Sequence, residues 1–210
     1  MAGDSWQRRE QYVSDGTQDS SYAERLQKKQ GVWWKQILPV QLPYRLNLKR
    51  QKLGRTLDIG CGIGRNLAAL PAGSLGVDHN VAAIEMARRD GLQAMTVEEF
   101  EGSDEAREGA FDGFLVAHVL EHMTEAESRD LLTSYLPYLR PGGSVFVVCP
   151  QEVGYRSDPT HVSFTTDADI SRICRDVGLT PVKAYSFPFP RPVGKLFIYN
   201  EFCVLATKPA

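Results

Sequence analysis

The sequence predicts an α/β fold in which a mainly parallel β-sheet carries helices on both faces. After Gly54, short apolar segments alternate with segments of helical periodicity, and a glycine-rich turn follows the first apolar segment. Strands separated by helical segments of about 10–15 residues form βαβ units, which build parallel sheets. The 210 residues, 42 % hydrophobic and 24 % charged, suffice for one such domain and exclude a collagen, a coiled coil and a wholly disordered chain.

The N-terminal quarter of the chain is predicted to lie outside this domain, which we expect to span residues 53–210. Residues 1–20 are polar and without periodicity, which indicates a flexible segment. Residues 21–52 are predicted to form a helical cap, with a helix at 22–34. The first 52 residues carry ten basic and five acidic side chains, which indicates either a solvated helix face or a basic lid over an anionic group.

The first half of the domain is predicted from β-branched centres and turn residues. Residues 55–61 form a short apolar strand that runs into a glycine turn, and residues 74–78 form a second strand that ends on an aspartate. Helical spacing follows each of them, at 66–70 and 82–89. A third strand is predicted at 92–97.

The second half of the domain repeats this alternation. Residues 110–117 are a nearly continuous apolar strand, and residues 125–139 follow it with helical spacing. Pro-Gly-Gly at 141–143 predicts a turn before a fifth strand at 144–149. Capping residues and helical spacing then predict a helix at 165–177, and the closing strands are predicted at 181–187 and 197–207.

Charge and cysteine usage exclude several other classes of protein. The formal net charge of −2 predicts no general attraction to nucleic acid, and no apolar segment reaches the ~20 residues that a membrane span needs. The first ten residues do not resemble a secretory signal. The four cysteines form no C-x-x-C pair, so we expect a cytoplasmic protein with reduced, mostly buried cysteines and no cysteine-based zinc site.

The glycine-rich turn carries the clearest chemical signal. In Leu57-Asp-Ile-Gly-Cys-Gly-Ile-Gly-Arg65 a strand ends in a carboxylate and enters a turn with glycine at every second position, and Asp78 closes the next strand. The dinucleotide fingerprint fails because Arg65 stands at its third glycine position, and the P-loop lysine is absent. Asp58 would repel a pyrophosphate. The turn therefore suits a ribose-containing ligand with a positive charge and no phosphate, such as S-adenosylmethionine.

Four segments, LDIGCGIGRNL, GVDHN, FDGFLVAHVLEHM and YLRPGGSVFVVCP, together resemble class I S-adenosylmethionine-dependent methyltransferases. The resemblance covers about residues 53–208. It implies a Rossmann-like sheet of seven strands in the order 3-2-1-4-5-7-6, with strand 7 antiparallel. One departure is the acidic segment 101–109, where the helix usual in this family is expected to be short or absent.

The resemblance also implies which residues hold the cofactor. Asp58 and the turn would face its methionine part, Asp78 would bind the ribose, and Glu98 or Glu99 would accept from the adenine amine. Phe100 would cover the adenine ring, although an aromatic side chain at that position can equally belong to the core. The full set predicted to contact the cofactor is Tyr44, Arg45, Asp58, Gly60, Cys61, Gly62, Gly64, Asp78, His79, Glu98, Glu99, Phe100, Ala117 and His118.

Transfer to a hydroxyl calls for a histidine or a carboxylate beside the sulfonium. His118, Glu121 and His122 follow the fourth strand, and His161 lies in the polar loop after the fifth, so these four are the candidate catalytic residues. The alternative interpretation is that they only bind cofactor or cap helices. No metal is required by this reading, but Glu121, Asp158 and His161 could instead share a divalent ion such as Mg²⁺.

The acceptor is predicted to be a small carbohydrate. GVDHN, HVLEHM, DPTHV and FPFPRPVGKLFIYNEF are similar to actinobacterial methyltransferases that act on sugar hydroxyls, including those of methylated mannose polysaccharide synthesis. The alternatives are a small-molecule O- or N-methyltransferase of secondary metabolism and a non-catalytic cofactor-binding protein. Trp33 and Trp34 indicate either an aromatic acceptor surface or a homodimer interface. The residues predicted to bind the acceptor are Gln151, Tyr155, Asp158 and Arg191.

Overall fold

A seven-stranded sheet forms the centre of the molecule. The computed structural model describes residues 41–210, so the predicted segment 1–20, the predicted helix 22–34, Trp33 and Trp34 lie outside the described residues. The strand order is β3-β2-β1-β4-β5-β7-β6, with β7 antiparallel to both neighbours, which confirms the predicted fold. The strands are β1 (Thr56–Ile59), β2 (Leu75–Asp78), β3 (Ala94–Thr96), β4 (Phe111–Ala117), β5 (Leu139–Pro150), β6 (Thr180–Phe187) and β7 (Glu201–Thr207).

Helices cover the sheet between successive strands. Threonine capping boxes at Thr96, Thr124 and Thr166 begin three of them, since each threonine exchanges hydrogen bonds with an acidic residue three positions later. Within residues 41–210, no helix is both long and apolar enough to cross a bilayer. The helices are α1 (Leu42–Arg50), α2 (Val81–Arg89), α3 (Val97–Glu101), α4 (Glu125–Tyr135), α5 (Glu152–Arg156) and α6 (Asp167–Asp176).

Three predicted boundaries are wrong for local reasons. The helix predicted at 125–139 ends at Tyr135 and continues as a single 3-10 turn, because Pro137 has no N–H to donate. The turn predicted at 141–143 lies inside β5, at an irregular part of its pairing with β4. The helix predicted at 66–70 is only a 3-10 turn, Leu67–Ala69.

The central strands are buried on both faces, as their continuous apolar sequences predict. Leu57, Val116 and Val147, from β1, β4 and β5, are each fully inaccessible to solvent. The parallel strands all end at one edge of the sheet. Because β7 runs in the opposite direction, its first residue, Glu201, pairs with Pro150 at the end of β5 and reaches that same edge. This edge positions the candidate site.

Candidate active site

A cavity of about 580 Å³ lies at the carboxyl edge of the sheet, within the usual size range of small-molecule sites. Its walls are the glycine-rich turn after β1, the ends of β2, β4 and β5, the loops that follow them, part of α1 and the segment before β7. In open parallel sheets ligands bind at this edge. The cavity therefore lies where the sequence places the chemistry.

The glycine-rich turn lines one side of the cavity with backbone. Gly60, Gly62 and Gly64 all have positive φ angles, of 73°, 53° and 81°. A β-carbon added to Gly60 would lie 2.5 Å from a methyl group of Val119, so larger side chains are excluded there by space as well as by conformation. The backbone atoms of the turn therefore come close to whatever occupies the cavity.

Asp78, at the end of β2, is held in place by the turn that it faces. The N–H of Gly62 donates to its Oδ2 at 2.7 Å, and the N–H of Asn80 donates to its Oδ1 at 2.8 Å. Each carboxylate oxygen keeps a further lone pair, so it can still accept from a ligand hydroxyl. His79 lines the cavity beside it, with Nδ1 3.4 Å from Asp78 Oδ1.

Asp58 lies behind the turn and is 2 % exposed. Its Oδ2 has no hydrogen-bond partner among the described residues. Burial, together with the charge of Asp78, raises the pKa of Asp58 to about 7, and the backbone N–H of Leu67 offsets only part of this rise. Asp58 does not itself line the cavity, but a buried carboxyl group directly behind its wall disfavours a pyrophosphate there.

His118 follows β4 in the left-handed region, with a φ of 61°, which is uncommon for a residue other than glycine. This conformation directs its ring between two carboxylates: Nδ1 is 3.2 Å from Glu121 Oε1, and Nε2 is 3.0 Å from Glu201 Oε1. Although burial alone would lower it, these hydrogen bonds raise the pKa of His118 to about 10. His118 is thus a cation near neutral pH, held between the two carboxylates.

Glu121 is fully buried and still borders the cavity. Burial works against its ionisation, but His118, with a further contribution from His122, holds its pKa below the usual value. Its Oε2 accepts no hydrogen bond from any described residue. Burial and the charge of Glu121 keep the neighbouring Cys149 thiol protonated by raising its pKa.

Two further imidazoles meet beside Glu121. The rings of His122 and His161 have centroids 4.8 Å apart. His122 Nδ1 lies 3.1 Å from the carbonyl oxygen of Thr160, and His161 Nδ1 lies 2.6 Å from that of Tyr155. Burial lowers the pKa of His122. We name Glu121, His122 and His161 the histidine–glutamate cluster; of the predicted site residues, these three are the ones whose potential metal-binding atoms come together.

Asp158 borders the cavity, but its Oδ1 is engaged by the Thr160 N–H and hydroxyl, at 3.1 and 2.7 Å. Among the described residues it is not part of the group whose ligand atoms converge. The set of metal ligands expected from the sequence is therefore corrected, with His122 in place of Asp158. Asp158 instead holds Thr160, whose carbonyl oxygen contacts His122.

Two of the residues predicted to bind the acceptor, Gln151 and Arg191, bond to other residues of the protein and do not line the cavity. Gln151 is fully buried, and its amide bonds Ser186, Asn200 and the carbonyl of Glu201. Arg191 forms a bidentate ion pair with Glu152, at 2.8 and 2.5 Å. The prediction that they contact the acceptor is wrong because long-range packing supplies internal partners that the sequence does not reveal.

Tyr155 lies behind His161 and contacts it through both its ring and its backbone carbonyl. Its ring stacks on that of His161, with centroids 5.4 Å apart, and its carbonyl oxygen takes the Nδ1 contact described above. It does not itself border the cavity. Tyr155 thus orients a cluster residue and is not placed to touch an acceptor.

The adenine-binding prediction fails for three residues. Phe100 is fully buried among Phe111, Tyr135 and Tyr138, so the core interpretation is correct. Glu99 closes the capping box of α3 and pairs with Arg88, and Glu98 is exposed on the same short helix. Thr96 followed three residues later by Glu99 is the sequence signature of a capping box, which places Glu98, Glu99 and Phe100 in a helix after β3 and not at the end of that strand.

The remaining predicted cofactor residues divide into two groups. Cys61 and Ala117 border the cavity, and so does Tyr44, whose hydroxyl donates to the carbonyl of Tyr199 at 2.8 Å. Gly64 shapes the turn without lining the cavity, and Arg45 is exposed on α1 outside it.

Glu201 and Asn200 are two of the cavity residues that the sequence did not predict. Glu201 holds His118, and buried Asn200 bonds Gln151 and Ser186. Both border the cavity. The antiparallel direction of β7 was the available signal, because it carries the beginning of that strand, and not its end, to the carboxyl edge.

A family model described as a methyltransferase domain matches residues 34–184. No curated protein sequence matches the chain. Among solved structures, a SAM-dependent methyltransferase from Archaeoglobus fulgidus aligns with a TM-score of 0.63 and 19 % identity, covering 79 % of this chain and 93 % of the other.

Two further structures share the fold over most of both chains. Magnesium protoporphyrin IX methyltransferase from Synechocystis PCC 6803, with bound SAH, has a TM-score of 0.63 and 16 % identity, and the alignment covers 92 % of this chain and 97 % of that one. The 1,6-didemethyltoxoflavin-N1-methyltransferase of Burkholderia thailandensis has a TM-score of 0.59 and 21 % identity, with 91 % and 87 % covered.

Proposed function

This chain belongs to the methyltransferase domain family and is an S-adenosylmethionine-dependent enzyme, and we propose that it methylates a hydroxyl group of a small carbohydrate. The observation that carries the proposal is the histidine–glutamate cluster, which brings two imidazoles and a buried carboxylate together at the cavity wall. A hydroxyl is a weak nucleophile while it keeps its proton, whereas a neutral amine can attack through its lone pair before it loses one. Imidazole and carboxylate groups are the ones that can promote loss of the hydroxyl proton.

The cofactor end of the cavity is provided by the turn and Asp78, and Asp58 is buried behind the turn. S-adenosylmethionine supplies a methyl group on a sulfonium, and the acceptor oxygen takes it in line while the bonding electron pair stays on sulfur. Asp78 accepts the ribose hydroxyls, and the turn lets the backbone approach closely. Asp58 compensates the positive charge from behind. The protein contributes mainly alignment and exclusion of water, which can supply ~7–11 kcal/mol of a barrier.

The acceptor end combines polar groups with aromatic faces, as a hydroxyl-rich ring requires. Ser157, Asp158 and Tyr199 border it together with the histidine–glutamate cluster. The related structures are named for chemically different acceptors, a porphyrin and a toxoflavin precursor, so the shared fold does not choose the acceptor. The loops after β4 and β5, which carry this cluster, determine which acceptor binds.

The predicted cap is part of the same proposal. Helix α1, which lies within the cap predicted at 21–52, contributes Tyr44, Asn47 and Leu48 to the cavity wall. We propose that α1 limits the entry of water at this wall of the cavity, while residues 53–210 form the catalytic domain.

Radiolabelled methyl donor, offered with mannosides, other sugars, aromatic small molecules and tRNA, tests the acceptor. We expect label in an O-methyl ether of a carbohydrate. Preferential labelling of a ring nitrogen, an aromatic hydroxyl or tRNA would overturn the carbohydrate proposal, and the first two would favour a small-molecule enzyme. Cofactor binding with no transfer to any acceptor would favour a non-catalytic binding protein.

Replacing Asp78 with alanine is expected to weaken S-adenosylmethionine binding by about 1–3 kcal/mol, because a charged hydrogen bond to the ribose is lost. Isothermal calorimetry measures this directly. Glu85→Ala, which removes an exposed carboxylate from the neighbouring helix α2, is the matched control and should leave the affinity unchanged. Equal affinities for the two variants would contradict the ribose assignment.

Cofactor affinity is expected to fall as the pH drops below about 7. Asp58 then takes up a proton, since its pKa is about 7 in the free protein, and the positive ligand loses its counter-charge. The decrease should approach about tenfold per pH unit. Calorimetry between pH 5.5 and 8.5, buffered at constant ionic strength, measures it, and Asp58→Asn should remove this dependence.

Protonation of Asp58 also affects the free energy of unfolding of the ligand-free protein, but with the opposite dependence on pH. The folded pKa of Asp58 is raised above its unfolded value, so this group stabilises the fold at low pH, and the contribution is lost as pH rises between about 4 and 7. Denaturant unfolding of wild type and Asp58→Asn should therefore differ in pH slope over that window. Parallel slopes would count against an ionisable, buried Asp58.

A further inference from the structure

The histidine–glutamate cluster forms a compact set of potential metal ligands. One ligand atom from each of Glu121, His122 and His161 can be chosen so that all three lie within 4.8 Å of one another. We propose that these residues bind one divalent transition-metal ion in the active-site cavity. Three protein ligands leave coordination positions open for water or an acceptor oxygen.

In both imidazoles of the cluster, Nδ1 contacts a backbone carbonyl oxygen, as it does in many metal-binding histidines. His122 directs Nδ1 to the carbonyl of Thr160, and His161 directs Nδ1 to the carbonyl of Tyr155. A carbonyl oxygen only accepts, so Nδ1 carries the proton in each ring. The tautomer is thereby fixed, and Nε2 is left as the coordinating atom. Such second contacts are typical of metal-ligating histidines.

The carboxylate of Glu121 provides an independent observation. It is fully buried at the cavity wall, and Oε2 has no hydrogen-bond partner among the described residues. Oε1 is held by His118, which is itself held by Glu201. Leaving a buried polar atom without a partner costs about 1–3 kcal/mol, and a cation in contact with Oε2 would remove that cost.

The ligand types indicate which metal binds. Two imidazoles with one carboxylate suit Zn²⁺, Co²⁺, Mn²⁺ or Fe²⁺, whereas Mg²⁺ prefers an all-oxygen shell. Asp158, whose oxygen would favour Mg²⁺, is engaged by Thr160. The proposal therefore names a transition metal.

The role of the ion rests on the proposed function, although its binding does not. An ion at this position would coordinate the acceptor hydroxyl and lower its pKa, so that the oxygen can give up its proton to water near neutral pH. This places the activated oxygen beside the end of β4, where the carbohydrate is proposed to enter.

Metal binding is tested on full-length protein that has been stripped with a chelator. Titration with Co²⁺, followed by visible absorption and by calorimetry, should give one site, and competition should show Mg²⁺ at least tenfold weaker. Glu121→Gln and His161→Ala should each weaken Co²⁺ binding by more than about tenfold, since loss of an outer partner alone costs 10–100-fold. His79→Ala, which removes a cavity histidine outside the cluster, is the matched control for metal binding.

The proposal is overturned if Co²⁺ does not bind stoichiometrically, if Mg²⁺ binds as tightly, or if Glu121→Gln and His161→Ala bind Co²⁺ like wild type. Equal losses in His79→Ala would also overturn it. Thermal melting with and without Co²⁺ shows whether a variant is folded: a folded variant should lose the metal-induced stabilisation of the wild type. Metal binding without carbohydrate methylation would contradict the proposed function alone. Carbohydrate methylation by protein that binds no Co²⁺ would contradict the metal site alone, and methylation that proceeds equally with and without bound Co²⁺ would contradict the role given to the ion.

Discussion

Replacing Glu121 with glutamine is expected to lower the rate of methyl transfer by about 10²–10⁴-fold, while the affinity for S-adenosylmethionine changes by less than about threefold. This is the range associated with losing the group that assists proton removal from an acceptor. Glu121 borders the cavity and also anchors His118, whereas the proposed cofactor contacts are made by Asp78 and the glycine-rich turn. Single-turnover rates at saturating cofactor, with calorimetry in parallel, separate these two quantities.

Glu201→Gln is the matched control, because Glu201 holds the same imidazole from its other side. Its carboxylate does not belong to the histidine–glutamate cluster. We therefore expect a clearly smaller loss of rate in Glu201→Gln than in Glu121→Gln. Equal losses would mean that Glu121 acts only through His118, and full activity of Glu121→Gln would place acceptor activation elsewhere.

Replacing Phe100 with alanine is expected to lower the free energy of unfolding by about 3–5 kcal/mol. The side chain is fully buried and packs on Phe111, Tyr135 and Tyr138, so its removal leaves a cavity between the sheet and the helices. Urea unfolding measures the loss. The affinity of the folded variant for S-adenosylmethionine, measured well below its melting temperature, should remain that of the wild type.

This experiment separates the core position of Phe100 from the adenine contact that the sequence left open. An adenine contact would give the opposite pattern, with weaker cofactor binding and nearly unchanged stability. Glu98→Ala, on the exposed side of the same short helix, should alter neither quantity.

The fold and the turn could be predicted because their determinants are local. Alternating strand and helix patterns mark the sheet, and the glycines from Gly60 to Gly64 are needed by the conformation of the segment they occupy. Asp78 was found for the same reason, since it closes its own strand.

The rest of the site depends on contacts between distant parts of the chain. Gln151 accepts a hydrogen bond from Asn200, 49 positions away in the sequence, and Arg191 forms an ion pair with Glu152, 39 positions away. Nothing near either residue signals such a partner. His118 was located correctly at the end of β4, but its protonation state depends on Glu201, 83 positions away.

Because β7 is the last strand along the chain, the contact between His118 and Glu201 in the candidate site forms late during synthesis of the polypeptide. A ribosome must add more than eighty residues after His118 before Glu201 exists, and this carboxylate reaches the imidazole only once β7 has inserted between β5 and β6. The glycine-rich turn and Asp78 precede β7 in the chain, so a nascent chain can contain them while His118 still lacks this counterion. Activity therefore reports on closure of the whole sheet.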